Sequence, residues 1–176
     1  MTRLDSTLDE IAKVCSSASI PDLLRRIGDR YGMRTVAYLG TGTLDRQSPQ
    51  REPYVAVTYS SEWVERYRAR EYLKIDPTIQ IGLRRLLPID WDDFIGKQRS
   101  LSEFFGEASE HGLGRKGISF PVHGYSGDRA LFSATADLSE REWWWVRRTA
   151  FRHFPIIAAH LHEAVLRTEG VCRAQP

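Results

Sequence analysis

Residues 54–91 read YVAVTYSSEWVERYRAREYLKIDPTIQIGLRRLLPIDW, and three kinds of local signal follow one another within them. YVAVTY (54–59) is rich in β-branched and aromatic residues, which suit a pleated, half-buried strand. Ser60 or Ser61 can then cap a helix carrying Trp63, Val64 and Tyr67. A further helix start follows at Asp76-Pro77, where aspartate suits the N-cap and proline the first helical position; its apolar face would be Ile79, Leu83 and Leu86.

Outward from this stretch the same signals recur. MRTVAYLG (33–40) reads as a strand pairing with 54–59 across a polar Gly/Ser/Pro loop. Upstream, Leu4, Leu8, Ile11, Ala12 and Cys15, then Leu23, Leu24, Ile27 and Tyr31, repeat at helical spacing and predict two amphipathic helices, the second stopped by Gly32. Downstream, residues 100–110 place Leu101, Phe104, Phe105 and Ala108 on one helix face, ended by Gly112. ISFPVH (118–123) and RALFSATAD (129–137) resume strand character around a Gly-Tyr-Ser-Gly turn. Ser139-Glu140-Arg141-Glu142 is a capping-box sequence that opens a last helix to about Leu166, in which Pro155 predicts a kink or a division into two shorter helices. At least four strands with these connections favour an antiparallel sheet in an α+β domain over residues 1–166, with 167–176 as a linker or tail.

Composition narrows the function. At 176 residues the chain suits one domain, and 25 Lys+Arg against 23 Asp+Glu lacks the single-sign excess of a nucleic-acid or polybasic membrane binder. Hydrophobic residues make up 41% of the chain, yet no apolar run approaches the ~18 residues of a membrane span. The N-terminus MTRLDSTLDEIAKV reads as a polar-capped helix rather than a secretory signal, so a cytoplasmic location is expected. Cys15 and Cys172 lie near opposite ends with no metal-ligand spacing, so neither a metal nor a cofactor is expected.

Few motifs suggest catalysis. Gly112-Leu-Gly114-Arg-Lys-Gly117 spells the dinucleotide fingerprint, but it follows a helix and opens a strand, the reverse of the required context; it reads better as a glycine-rich turn. His111, His123, His153, His160 and His162 include no ligand pair, and surface positions are their default. With no GxSxG elbow and no base beside either cysteine, an enzyme is not expected. In Trp143-Trp144-Trp145 the rings point about 100° apart on a helix, so at least one should leave the core of a monomer. A subunit contact, and core packing by two rings with a half-exposed third, are both open.

The richest constellation is Tyr59, Trp63, Tyr67, Tyr72, Asp76 and Trp91. Trp63 and Tyr67 share a helix face and can wall an apolar cavity with a phenol at its rim. A carboxylate beside such a wall needs donors; Asp76 finds them as an N-cap, by pairing with an arginine, or from a ligand.

At these residues the chain resembles the autoinducer-binding domain of LuxR-type quorum-sensing regulators. The resemblance rests on Tyr59-x3-Trp63-x3-Tyr67-x4-Tyr72-x3-Asp76-Pro77, on Pro88-Ile89-Asp90-Trp91, on Glu107-Ala108 with Gly112-Leu113, and on Phe120-Pro121-Val122-His123-Gly124, and it covers about residues 5–165. It implies an α-β-α sandwich around a five-stranded antiparallel sheet, with an N-acyl- or aryl-homoserine lactone closed between the sheet and one helical layer. It further implies that Trp91 donates to the lactone carbonyl, Asp76 accepts the ligand amide N–H, Tyr59 donates to the amide carbonyl and Ser133 adds a second donor there. Trp63, Tyr67 and Tyr72 would line or close the cavity, and Val36, Tyr38, Ile79, Leu83 and Leu131 would meet the acyl tail. Val64 is apolar where some binders of long 3-oxo chains are polar, which leans toward ligands without that group.

The resemblance also implies a homodimer through the C-terminal helix. Two departures stand beside it. Gly112–Gly117 is one residue longer than the usual GLxxG turn, and the helix-turn-helix domain through which such regulators bind DNA is not in this chain. Two expectations follow: the ligand-binding part of a longer regulator, or a naturally truncated antiactivator that silences a full-length partner by heterodimerisation.

Overall fold

Thr2 and Asp5 open the first helix by a reciprocal cap: the threonine hydroxyl accepts from the Asp5 amide (3.1 Å) and the Asp5 carboxylate from the Thr2 amide (2.8 Å). The computed structural model describes residues 1–41, 53–95, 99–124 and 127–169. Helix α1 (Arg3–Ala12) stops before Cys15, because Ser16 turns its hydroxyl to the Ala18 amide and caps a separate 3-10 turn. Cys15 is therefore exposed beyond the helix rather than on its apolar face. Helix α2 (Ile20–Tyr31) ends where expected, at Gly32, whose φ of 70° is the left-handed cap that glycine adopts freely.

Strands β1 (Thr35–Thr41) and β2 (Tyr54–Val57) follow. The second is shorter than the expected 54–59 because the Thr58 hydroxyl accepts the Val36 amide at 2.9 Å, where a backbone carbonyl would otherwise continue the ladder. Ser60, of the two candidate serines, caps α3 (Ser61–Ala69) by accepting from the Trp63 amide. Asp76 caps α4 (Pro77–Gly82), but this helix is only six residues long; Leu83 is its C-cap and Leu86, at 77% exposure, lies in the following turn and not on an apolar helix face.

The chain continues through β3 (Ile89–Asp90), α5 (Arg99–Glu110), β4 (Lys116–His123), β5 (Arg129–Ala136) and α6 (Glu140–Thr168). The Ser139/Glu142 capping box opens α6 as expected. The helix is continuous through Pro155, which sits on an exposed face, so it does not divide into two, and it runs past the expected end at Leu166. The Gly/Ser/Pro loop within 42–52, the centre of the turn at 125–126 and the tail from 170 lie outside the described residues.

Among the described residues the sheet has five strands, all antiparallel, in the order β2-β1-β5-β4-β3. One register row runs Ile89, Ser119, Ser133, Ala37, Val57, and the next runs Phe120, Phe132, Tyr38, Ala56. Because side chains alternate faces, these rows belong to opposite layers. The face bearing Val36, Tyr38, Ile118, Phe120 and Phe132 packs on α1, α2 and α6 and forms the larger core, with Leu23, Leu24, Ile27, Phe154, Ile157 and Leu161. The other face meets α4 and the turn at Trp91: a Cβ on Gly82 would touch Leu131, and one on Gly117 would strike the Trp91 indole. Helices α3 and α5 and the turns that follow them complete that layer through Trp63, Tyr72, Phe104, Ala108 and Leu113.

The larger core overturns three expectations. Tyr38 donates toward α6, its hydroxyl 2.6 Å from His162 Nδ1, and His162 Nε2 in turn meets Asp128 at 2.5 Å, so this histidine is a buried strut rather than a surface residue. Val36 and Tyr38 thereby belong to the α6 side and not to a pocket wall on the other face. Of the three tryptophans only Trp143 is in the core; Trp144 and Trp145 are 48% and 61% exposed, so two rings leave it and the two-in, one-half-out packing does not occur.

Candidate functional site

The sheet face opposite α6 carries two buried polar groups of opposite hydrogen-bonding character. The first is Asp76, 6% exposed. Its Oδ1 accepts from the Thr78 amide (2.9 Å) and hydroxyl (2.6 Å), and its Oδ2 accepts from the Tyr67 hydroxyl (2.9 Å). The helix start at Asp76-Pro77 sets this geometry, and of the partners open to Asp76 the N-cap is realised. Burial raises the Asp76 pKa above the ordinary carboxylate value, while the donors from Thr78 and Tyr67 oppose the rise. Burial, then the charge of Asp76, raise the pKa of both Tyr59 and Tyr67, so these phenols are donors throughout the physiological range.

The second group is a chain of donors. Trp91 Nε1 donates to Ser119 Oγ at 3.0 Å, and Ser119 Oγ lies 2.7 Å from Ser133 Oγ across the β4–β5 pair. Ser119 and Ser133 are register partners, so their hydroxyls share one face. The indole lies over Gly117, where a Cβ would come within 2.3 Å of the ring; a side chain there would exclude Trp91 from the face. Phe105 closes its other flank at a ring separation of 5.5 Å.

Aromatic rings connect the two groups. Tyr67 and Tyr72 stand 5.9 and 5.8 Å from Trp63, Phe104 packs at 5.0 Å on Tyr72, and Phe104 meets Phe105 at 5.0 Å. All of these but Trp63–Tyr72 meet edge to face, a geometry worth about 0.5–1.5 kcal/mol beyond the area it buries. An ionic clasp fixes the wall from outside. Arg66 donates two hydrogen bonds to Glu107 (both 3.0 Å) and Tyr72 a third (2.6 Å), tying α3 to α5. These donors hold the Glu107 pKa down at about 2.

The structure thus brings together Tyr59, Trp63, Tyr67, Tyr72 and Asp76 on one side and Trp91 with Ser133 on the other. Among the suggested tail contacts Leu131 lies on this sheet face and Ile79 in α4, whereas the Leu83 carbonyl accepts from Arg129 at the rim. Four participants were not singled out from sequence: Thr78, Ser119, Phe105 as Trp91's neighbour, and the Arg66–Glu107 clasp. Thr78 carries a readable signal, since a hydroxyl two residues after an N-cap aspartate can return to it. Ser119 and the part Glu107 plays become visible only through pairings 28 and 41 residues apart.

Among the described residues no three His, Cys, Asp or Glu side chains are grouped to hold a metal ion. None of their helices is long and apolar enough to cross a membrane. The arrangement accepts an N–H at one end and offers N–H and O–H donors at the other, across apolar aromatic surface.

Comparisons with known proteins agree with this architecture. A sequence profile of the autoinducer binding domain matches residues 16–165. The transcriptional activator RaiR of Rhizobium etli is 35% identical over 119 residues, covering 68% of this chain and 49% of RaiR. The activator AhyR of Aeromonas hydrophila is 41% identical over 75 residues, 40% of this chain and 28% of AhyR. The chain thus spans about half or less of the length of these curated relatives. Among solved structures, CepR2 of Burkholderia cenocepacia, an N-acylhomoserine lactone dependent LuxR family factor, superposes with a TM-score of 0.71 at 19% identity over 93% of this chain and 95% of that one. Escherichia coli SdiA bound to octanoyl-rac-glycerol gives 0.63 at 13% identity over 94% and 66%. These structural likenesses speak for the fold, and the profile match over most of the chain decides the assignment: the chain belongs to the autoinducer-binding domain family of LuxR-type transcriptional regulators.

Proposed function

We propose that this chain is the ligand-sensing domain of a quorum-sensing regulator and takes up an N-acyl- or aryl-homoserine lactone on the sheet face opposite α6. The observation that carries this reading is the pairing, on one face, of a buried acceptor at Asp76 with a buried donor chain at Trp91, Ser119 and Ser133. An acylated lactone presents the complement: an amide N–H and two carbonyls in a row. Asp76 accepts the amide N–H, and Trp91, whose single N–H is held by Ser119 without ligand, turns it to the lactone carbonyl. Tyr59, whose hydroxyl has no hydrogen-bond partner among the described residues, donates to the amide carbonyl with Ser133. Tyr67 and Tyr72 spend their protons on Asp76 and Glu107, so their part is to wall the cavity with Trp63.

Energetics favour a complete match. Leaving one of these buried polar groups unpaired costs about 1–3 kcal/mol, whereas one methylene of tail in an apolar pocket is worth about as much. Head-group contacts therefore set orientation, and chain-length preference is graded.

The test is a thermal-melting panel of straight, branched, 3-oxo and aryl homoserine lactones on the wild type and Trp91→Phe. A ligand at about 100 times its dissociation constant adds ~2.7 kcal/mol. The expected result is a rise of several degrees confined to one acyl class and blunted in the variant. Folded protein that shifts with no lactone overturns the reading, and so does steady loss of lactone on incubation, which would make the chain a hydrolase.

A further inference from the structure

The turn between α4 and β3, on the side of the sheet opposite α6, holds two leucines out in water. Leu86 and Leu87 are 77% and 75% exposed, and apart from Met1 no large hydrophobic residue among the described ones is as open. At that exposure they project from the surface rather than line a groove. The backbone beneath them is braced from the β4–β5 hairpin: Arg129 Nη1 donates to the Leu83 carbonyl at 2.7 Å, and His123 Nε2 lies 2.8 Å from the Arg85 carbonyl. His123 and Arg129 are register partners at one end of that strand pair, so both clamps act from one place. The Arg84 and Arg85 amides return to the Ile81 and Gly82 carbonyls, and Pro88 restricts the exit. A turn ordered in advance need not lose that entropy when it meets a partner.

We infer that this turn is the point at which the protein touches an anionic lipid surface, Leu86 and Leu87 entering the boundary between headgroups and acyl chains and Arg84 and Arg85 meeting the lipid phosphates. Charge selects the surface. From Leu73 to Ile89 the chain carries Lys74, Arg84 and Arg85, and its one carboxylate, Asp76, is buried. Lys74 is paired with Glu71, whereas Arg84 and Arg85 are exposed and have no carboxylate partner among the described residues. The chain's net charge is only +2, so this is a local concentration of cations rather than a share of a general excess.

The pairing of residue types selects a bilayer among anionic partners. Arginine lays its aliphatic stem along apolar surface and keeps its guanidinium at the level of phosphate, so two arginines beside two leucines meet both demands of a membrane interface. A nucleic-acid backbone would use the arginines and leave the leucines in water. A second copy docked about a two-fold axis would set Arg84 and Arg85 against themselves. A contact this small is reversible and depends on salt.

The test is co-sedimentation of the chain with vesicles of equal parts phosphatidylglycerol and phosphatidylcholine, against vesicles of phosphatidylcholine alone, with duplex DNA as competitor. Wild type should bind the mixed vesicles about tenfold more tightly than the neutral ones and leave them as salt rises. The double variants Leu86→Ser/Leu87→Ser and Arg84→Glu/Arg85→Glu should each weaken binding about tenfold or more, with melting temperatures unchanged because all four side chains are exposed. No binding to the mixed vesicles, equal binding to neutral ones, undiminished binding by either double variant, or a preference for DNA overturns the inference. Self-association that Leu86→Ser/Leu87→Ser abolishes overturns it too, by making a second copy the occupant. Lactone-dependent melting reads Asp76 and Trp91 and not this turn, so the two proposals fail independently.

Discussion

Asp76→Asn separates the charge of the buried carboxylate from its shape. Asparagine keeps an oxygen for the Thr78 amide and hydroxyl, now at 2.9 and 2.6 Å from Asp76 Oδ1, and its amide nitrogen can donate to a Tyr67 hydroxyl turned to accept. The uncomplexed variant should therefore be within about 1 kcal/mol of wild type at pH 7. Its stability at neutral pH gains from removal of a desolvated charge, because burial raises the Asp76 pKa.

The sign follows from linkage: with a folded pKa above the unfolded one, the stabilisation by a protonated Asp76 is fully present below about pH 3.8 and is lost as pH rises through the folded value. Wild type should thus gain on the variant as pH falls, and the difference between the two curves isolates this group from the other carboxylates. Lactone binding should suffer far more than folding. The amide nitrogen of asparagine faces the ligand N–H as donor against donor, and losing a hydrogen bond to a charged group costs about 2 kcal/mol, roughly 30-fold in affinity. At a lactone concentration about 100 times the wild-type dissociation constant, ligand stabilisation falls from about 2.7 to about 0.9 kcal/mol. With about 2–4 °C per kcal/mol in a domain of this size, a shift of about 8 °C becomes about 3 °C. A variant with an undiminished lactone shift, or one melting many degrees lower without ligand at pH 7, would refute the reasoning.

Three further perturbations probe the supporting structure. Ser119→Ala strips the buried Trp91 N–H of its acceptor and should cost about 1–3 kcal/mol in urea denaturation, with little change in slope. Gly117→Ala places a methyl about where the indole lies, 2.3 Å from its ring, and should cost about 1–3 kcal/mol and shift the tryptophan emission as Trp91 is displaced. Glu107→Gln removes the anion from the α3–α5 clasp; the Glu107 pKa is depressed, so its contribution is present above about pH 4.5 and lost as pH falls toward about 2, and the melting deficit of the variant should shrink over that window.

Much of the architecture was legible in the chain. Ser60, Asp76 and Ser139 cap their helices as their residue types demand, Gly32 ends α2 in a left-handed conformation, and the glycine-rich run after α5 is the turn into β4 that its context indicated. Misreadings cluster where a local pattern has two continuations. Leu86 keeps helical spacing with Ile79 and Leu83, yet α4 ends at Gly82; Pro155 interrupts a helical pattern, yet α6 continues with the ring on its exposed face.

The candidate site divides in the same way. Tyr59, Trp63, Tyr67, Tyr72, Asp76 and Trp91 form a visible cluster because they fall within one stretch of 33 residues and mix aromatic bulk with polar tips. Alternation along β1 indicates that Val36 and Tyr38 share a face, but not that His162, 124 residues away, claims that face for α6. Nor does it indicate that Ser119 stands between Trp91 and Ser133, or that Glu107 anchors Arg66 and Tyr72. Caps, turns and amphipathic periods are energies of neighbours along the chain, so the sequence by itself determined where elements begin and which residues could act together. Which layer each sheet face meets, and which donor meets which acceptor across it, depends on strand register and on helices folded back from far along the chain, and only the tertiary structure decided those.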